Sequence, residues 1–121
     1  MSIEPRTAVV NVFVTKPLEI SEPDWCAGHP DDRAGYKVDI SHDGPEHVIA
    51  PSGDVLFKAS LTQAPFSNAD RTIGLYIEAD VEPHTCTPDE VDQFADDLIA
   101  AADQLRRLGR QLAEILAGED R

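Results

Sequence analysis

Thr87-Pro88-Asp89-Glu90-Val91 opens the stretch TPDEVDQFADDLIAAADQLRRLGRQLAEILAG, residues 87–118, and this stretch decides the fold. Thr87 is a good N-cap residue, Pro88 suits a first turn that has no use for its missing N–H, and Glu90 completes a Thr-x-x-Glu capping box. Val91, Phe94, Leu98, Ala101, Leu105, Leu108, Leu112 and Ile115 then follow at alternating spacings of three and four, which places them on one helical face. Gly118 is a natural stop. The pattern predicts one helix over 88–117, with Asp89, Glu90, Asp92, Asp96 and Asp97 early and Arg106, Arg107 and Arg110 late, a polarity that suits the helix dipole.

Upstream of the helix the periodicity changes from 3.6 to 2. Residues 7–15 form a β-branched run, 35–40 alternate Tyr36, Val38 and Ile40 with Lys37 and Asp39, and 46–50, 55–62 and 72–79 read as further strands. Asp43-Gly44-Pro45 and Pro51-Ser52-Gly53-Asp54 are turns between them. Residues 17–34, rich in Pro, Asp and Glu, read as a long loop. Strands followed by a helix imply an α+β domain. The expected architecture is a single domain over 1–121: an antiparallel sheet of about four or five strands within 7–79, with one long C-terminal helix packed across it.

A helix of this length measures roughly 45 Å, more than a small sheet covers. Ala95, Ala102, Gly109 and Leu116 broaden the apolar stripe, so packing on the sheet is the preferred reading over a free-standing coiled coil. The overhanging end, 108–116, is expected to meet a second copy of the chain, with Leu112 and Ile115 as contact residues.

The 121 residues carry 10 Lys and Arg against 23 Asp and Glu, a net charge of -13. Such a surface is wrong for nucleic acid, which needs clustered cations to displace counterions. A basic protein partner fits it better. No signal-peptide pattern and no run of roughly 20 apolar residues is present, so membrane insertion is not expected and the expected compartment is the cytoplasm. The two cysteines, Cys26 and Cys86, are then reduced thiols or ligands rather than a disulfide.

Chemistry-bearing residues gather in one region. Cys26-x-x-His29 has the spacing of two ligands on a tight loop, and His42 can supply a third; thiolate and imidazole donors suit tetrahedral zinc. The fourth ligand is open among Glu22, His47 and Cys86. Cys86, just ahead of the helix N-terminus, also invites a reactive-thiol reading, but no resolving cysteine lies near it in sequence. His-Glu-x-x-His, Walker and Gly-x-Ser-x-Gly patterns are absent, so no catalytic residue is assigned. Pro65-Phe66, within Leu61-Thr62-Gln63-Ala64-Pro65-Phe66, offers an apolar anchor for a partner if the ring is exposed.

Three segments carry a resemblance: Pro23-x-Trp25-Cys26-x-x-His29, Tyr36-Lys37-Val38-Asp39-Ile40-Ser41-His42-x-Gly44-Pro45-Glu46-His47, and Leu61-Thr62-Gln63-Ala64-Pro65-Phe66. Together they resemble a family of small uncharacterised actinobacterial proteins, a domain of unknown function. Members of that family often begin the first segment as Cys-Pro-x-Trp-Cys. The resemblance implies a Cys, Cys, His, His metal site, mapped here onto Cys26, His29 and His42, with Glu22 standing where the first cysteine would be. It implies no activity.

The sequence therefore reads as a small non-enzymatic interaction or regulatory protein with a zinc-stabilised loop. The alternative is a metal-dependent enzyme or sensor with an open position at Cys26, His29 and His42.

Overall fold

The computed structural model describes residues 5–12, 17–29, 33–34 and 36–119. In chain order the elements are β1 (Arg6–Val12), β2 (Pro17–Glu22), β3 (Arg33–Ala34), β4 (His42–Asp43), β5 (His47–Ile49), β6 (Phe57–Gln63), β7 (Gly74–Ala79) and α1 (Pro88–Glu119). The class is α+β. The strands divide between two sheets, β2-β1-β3 and a four-stranded one in which β6 pairs with β4, β5 and β7. All registered pairs are antiparallel except β1 with β3.

The chain forms two compact units, Met1–Pro45 with Leu61–Gly74, and Glu46–Ser60 with Leu75–Arg121. Each has its own apolar cluster. In the first, Val10, Ile20 and Ile40 are buried, with Leu18 and Phe66 packed against them. In the second, Ile49, Leu56 and Ala101 are buried, joined by Phe57, Phe94, Leu105 and Leu108.

Two segments differ from their reading in sequence. The stretch read as a loop from residue 17 begins as β2, whose residues pair from Arg6↔Glu22 to Asn11↔Pro17 with β1. Leu18 and Ile20 face the cluster while Glu19 and Ser21 are exposed. This is a period-2 pattern that the local density of Pro and Glu obscures. Conversely, 36–40 is not a strand: Asp39 N–H donates to Tyr36 O and Ile40 N–H to Lys37 O, closing a 3-10 turn at Lys37–Asp39. Only Ile40 of its three alternating apolar residues is buried, so a ladder would have sequestered little more. Residues 13–15, read as the end of the first strand, lie outside the described residues.

Helix α1 starts where the capping box places it. Glu90 N–H donates to Thr87 Oγ1 and Thr87 N–H to Glu90 Oε1, at 3.3 and 3.2 Å. It runs through Gly118 to Glu119 rather than ending at the glycine. Ala101, 1 % exposed, lets the helix backbone come close to Ile49 and Leu56, and Phe94, Leu105 and Leu108 flank that contact. Leu112 and Ile115 continue the same stripe half-buried, whereas Val91 and Ile99 are exposed. Among the described residues no helix is long and apolar enough to cross a membrane.

Replacing Thr87 by Ala removes the cap acceptor for Glu90 N–H. The expected cost is about 1 kcal/mol of stability, read as a lower urea midpoint at unchanged m-value. Thr85→Ala, two residues earlier and outside the box, should leave the midpoint where it is.

Candidate metal centre

The sheet register of the first unit dictates what faces inward at its end. Leu18, Ile20 and Glu22 share a face of β2, and across the ladder Val10, Ala8 and Arg6 share the matching face of β1. The alternation that buries Val10 and Ile20 therefore carries a carboxylate and a guanidinium onto that face as a directly opposed pair. The Glu22 side chain is only 6 % exposed, and Arg6 Nε lies 3.3 Å from Glu22 Oε2.

The chain then turns sharply. Cys26 N–H donates to Pro23 O at 3.1 Å, and Ala27 N–H donates to Asp43 O at 2.8 Å, tying the turn to β4. Gly28 has φ +104, a conformation that a side chain would strain. That conformation directs its N–H back to Cys26 Sγ at 3.5 Å. Gly44 packs its α-carbon against the same turn: a Cβ there would sit 3.1 Å from Trp25 O. Its N–H donates to Leu61 O at 2.8 Å, which fixes the chain just after His42.

These constraints bring Cys26, His29 and His42 together, with one ligand-type atom from each lying within 4.8 Å of the others. Cys26 Sγ is 3.8 Å from His29 Nε2, and His29 Nε2 is 3.4 Å from Glu22 Oε1. The His29 and His42 rings meet edge to face at 5.5 Å, and Trp25 stands nearly perpendicular to His42 at 6.2 Å. Among the described residues the buried side-chain atoms that make no hydrogen bond are Glu22 Oε1 and His42 Nδ1. Glu22 Oε1 has the approach of His29 Nε2, with the Cys26 thiol neighbouring the carboxylate, and His42 belongs to the group of Cys26, His29 and His42, whose spacing is one that could hold a metal ion.

The electrostatics agree with a buried, crowded cluster. Burial pushes the Cys26 thiol up, and the Glu22 carboxylate adds to the effect, while backbone N–H groups at Gly28 and Asp43 oppose it. Burial also pulls the His42 imidazole down, helped by neighbouring His29 and opposed by Glu22 and Asp43. Asp43 is itself engaged, accepting from Ser41 Oγ at 2.7 Å and Thr62 Oγ1 at 2.9 Å.

The remaining candidates fall elsewhere. His47 is exposed on β5 opposite Ala59, and Cys86 belongs to the second unit. His84 Nδ1 lies 2.9 Å from Glu82 O, and its ring packs edge-on against Phe94 at 5.6 Å. Phe66 is half-buried against the Val10, Ile20 and Ile40 cluster, with Lys37 Nζ 4.5 Å from its ring centre, so the ring is committed to the first unit; Pro65 beside it is half-buried. Arg6 escaped the sequence reading altogether. Its signal was the register: once β2 is recognised as a strand, Arg6 falls opposite Glu22.

The metal-free protein should show a characteristic stability profile. Folded His42 resists protonation, so as pH falls below its ordinary 6.5 the unfolded chain gains a proton first and stability drops. Folded Cys26 retains its proton, so as pH rises past the ordinary 9.0 the unfolded chain loses one first and stability drops again. Urea midpoints of chelator-treated protein should therefore decline on both sides of that window, and Cys26→Ala should flatten the alkaline side. An alkaline decline unchanged in that variant would assign it to other groups.

A sequence family described as Domain of unknown function (DUF6907) matches residues 7–114. Neither a curated protein nor a solved structure matches the chain.

Proposed function

The chain belongs to this family of unknown function, and we propose that it is a small interaction module whose 23–29 turn is pinned to β4 by one zinc ion. Cys26, His29 and His42 supply three donors and Glu22 the fourth. The observation that carries this reading is the convergence of Cys26, His29 and His42, with His42 Nδ1 buried and making no hydrogen bond and Glu22 Oε1, also without one, 3.4 Å from His29 Nε2.

The spacing supports tetrahedral coordination. With bonds of about 2.0–2.3 Å, neighbouring ligand atoms in a zinc tetrahedron stand roughly 3.3–3.8 Å apart. The separations of 3.8 Å from Cys26 to His29 and 3.4 Å from His29 to Glu22 lie in or at the edge of that range. Four protein donors close the site, and closed sites are structural. An open, catalytic or sensing site on Cys26, His29 and His42 alone would require Glu22 to stand away, yet its side chain is buried and its Oε1 faces His29. The benefit of the ion is order: it holds a turn that no regular backbone ladder otherwise spans and presents the surface around Trp25, with an acidic exterior suited to a basic protein partner.

The test is elemental analysis of untagged protein purified without chelator. Close to one zinc per chain is expected, lost in Cys26→Ser and weakened about 10- to 100-fold in affinity in Glu22→Ala, with a visible solvent-exchangeable position in the Co2+ spectrum of the latter. Trp25 is the chain's single tryptophan, so its fluorescence should report the titration directly. Absence of metal in protein that refolds and titrates normally would overturn the reading.

A further inference from the structure

Arg6 makes three contacts around one ligand set. Its Nε meets Glu22 Oε2 at 3.3 Å, and its Nη2 donates to Pro23 O at 3.0 Å and to Cys26 O at 2.7 Å. From these contacts we infer that Arg6 is the positioning residue of the metal centre: it occupies one oxygen of Glu22 so that only the other, Oε1, is offered to the ion. The inference rests on the metal reading above and concerns how that site is tuned.

The carboxylate makes such a residue necessary. A thiolate has one donor atom and no choice to make, whereas a carboxylate can bind through either oxygen or both, or rotate away. Glu22 ends β2, and its side chain has several torsions to fix. The guanidinium removes that freedom, because a planar fork engages a carboxylate oxygen and nearby carbonyls at once. Oε2 is held toward Arg6, and Oε1 is left buried, without a hydrogen bond, 3.4 Å from His29 Nε2. Arg6 reaches this point because the ladder places it directly opposite Glu22. The same Nη2 holds the carbonyl of Cys26, so one side chain orients the peptide of one ligand and the carboxylate of another. Groups that orient metal ligands from behind are typically worth about 10- to 100-fold in affinity.

The experiment is a double-mutant cycle on the full chain, with Zn2+ affinity measured by competition against a chromophoric chelator. R6A should weaken Zn2+ binding about 10- to 100-fold in the wild-type background. In an E22C background, where the fourth donor is a single sulfur atom, R6A should cost clearly less affinity than in wild type, since only the hold on the Pro23 and Cys26 carbonyls is then lost. R6K should behave like R6A, because one ammonium cannot replace the fork. A spectroscopic readout separates positioning from mere support of the fold: Co2+-loaded R6A should lose visible ligand-field intensity relative to wild type as Glu22 leaves one-oxygen coordination, and R6A in E22C should keep its intensity. Should E22C misfold by circular dichroism, E22H provides the same single-donor comparison. Equal losses in both backgrounds would overturn the assignment and leave Arg6 as a clamp on the turn carbonyls alone. If wild type binds zinc and only the coupling fails, the Arg6 role falls by itself; if wild type takes up no zinc, the metal reading falls and takes this one with it.

Discussion

The buried carboxylate of Glu22 is the constraint around which the first unit is arranged. Moving an ionised carboxylate out of water costs several kcal/mol unless opposite charge or hydrogen bonds replace the lost hydration. Strand alternation gives Glu22 no alternative, because turning it outward would also turn Leu18 and Ile20 away from the apolar cluster. One oxygen is compensated by Arg6 from the opposing strand. Beside the other oxygen the chain is shaped by local constraints: the turn at Pro23–Cys26, the positive φ at Gly28 and the close approach of Gly44 to Trp25 bring Cys26, His29 and His42 together. Each of these would be ordinary alone. Together they gather ligand-type atoms of Cys26, His29 and His42 within 4.8 Å of one another.

The second unit is organised by a different force. Its helix is specified locally by the capping box, and it is seated by apolar contacts around Ala101, the point where a small side chain permits the closest packing. Only one of its residues is fully buried. That is a narrow seat for so long a helix, and the acidic first half leaves most of its surface in water. The half-buried Leu112 and Ile115 extend the seated stripe towards the C-terminus.

Legibility in the sequence divides along the same line. The helix and its start were readable because cap, period and composition agree over many residues, and such consistency is rarely accidental. Cys26, His29 and His42 were readable as a group because their residue types are informative at any spacing. Glu22 could be named beside His47 and Cys86, but its place next to His29 was not legible, since that depends on register. The register was hidden because Pro17, Glu19, Ser21, Glu22 and Pro23 signal loop to any composition-based reading, and only Leu18 and Ile20 betray the strand. Misreading β2 concealed Arg6 too, because a cross-strand neighbour exists only once both strands do. The stretch at 36–40 failed in the opposite direction: its alternation is genuine, but no neighbouring strand among the described residues accepts its backbone groups, and they satisfy one another in a 3-10 turn instead.

On the proposed reading, the donor set has a consequence for selectivity. One thiolate, two imidazoles and one carboxylate carry the same total charge as two thiolates and two imidazoles, so zinc remains neutralised by its own ligands. Softness, however, is halved, and soft sulfur is what usually sets such sites apart from those that take harder cations. Arg6 adds a positive charge beside the oxygen donor and thereby lowers the electron density that Glu22 can offer. The chain's net charge of -13 offers only a diffuse attraction, screened beyond about 8 Å at physiological salt, and so cannot restore the preference. Selectivity in this centre must then rest on geometry: on a turn held by Gly28 and Gly44, and on a carboxylate allowed to present a single oxygen. A site of this kind discriminates only as well as its supporting contacts are rigid, which is why a guanidinium that grips the carboxylate and the Cys26 carbonyl together matters more here than it would beside four sulfur and nitrogen donors.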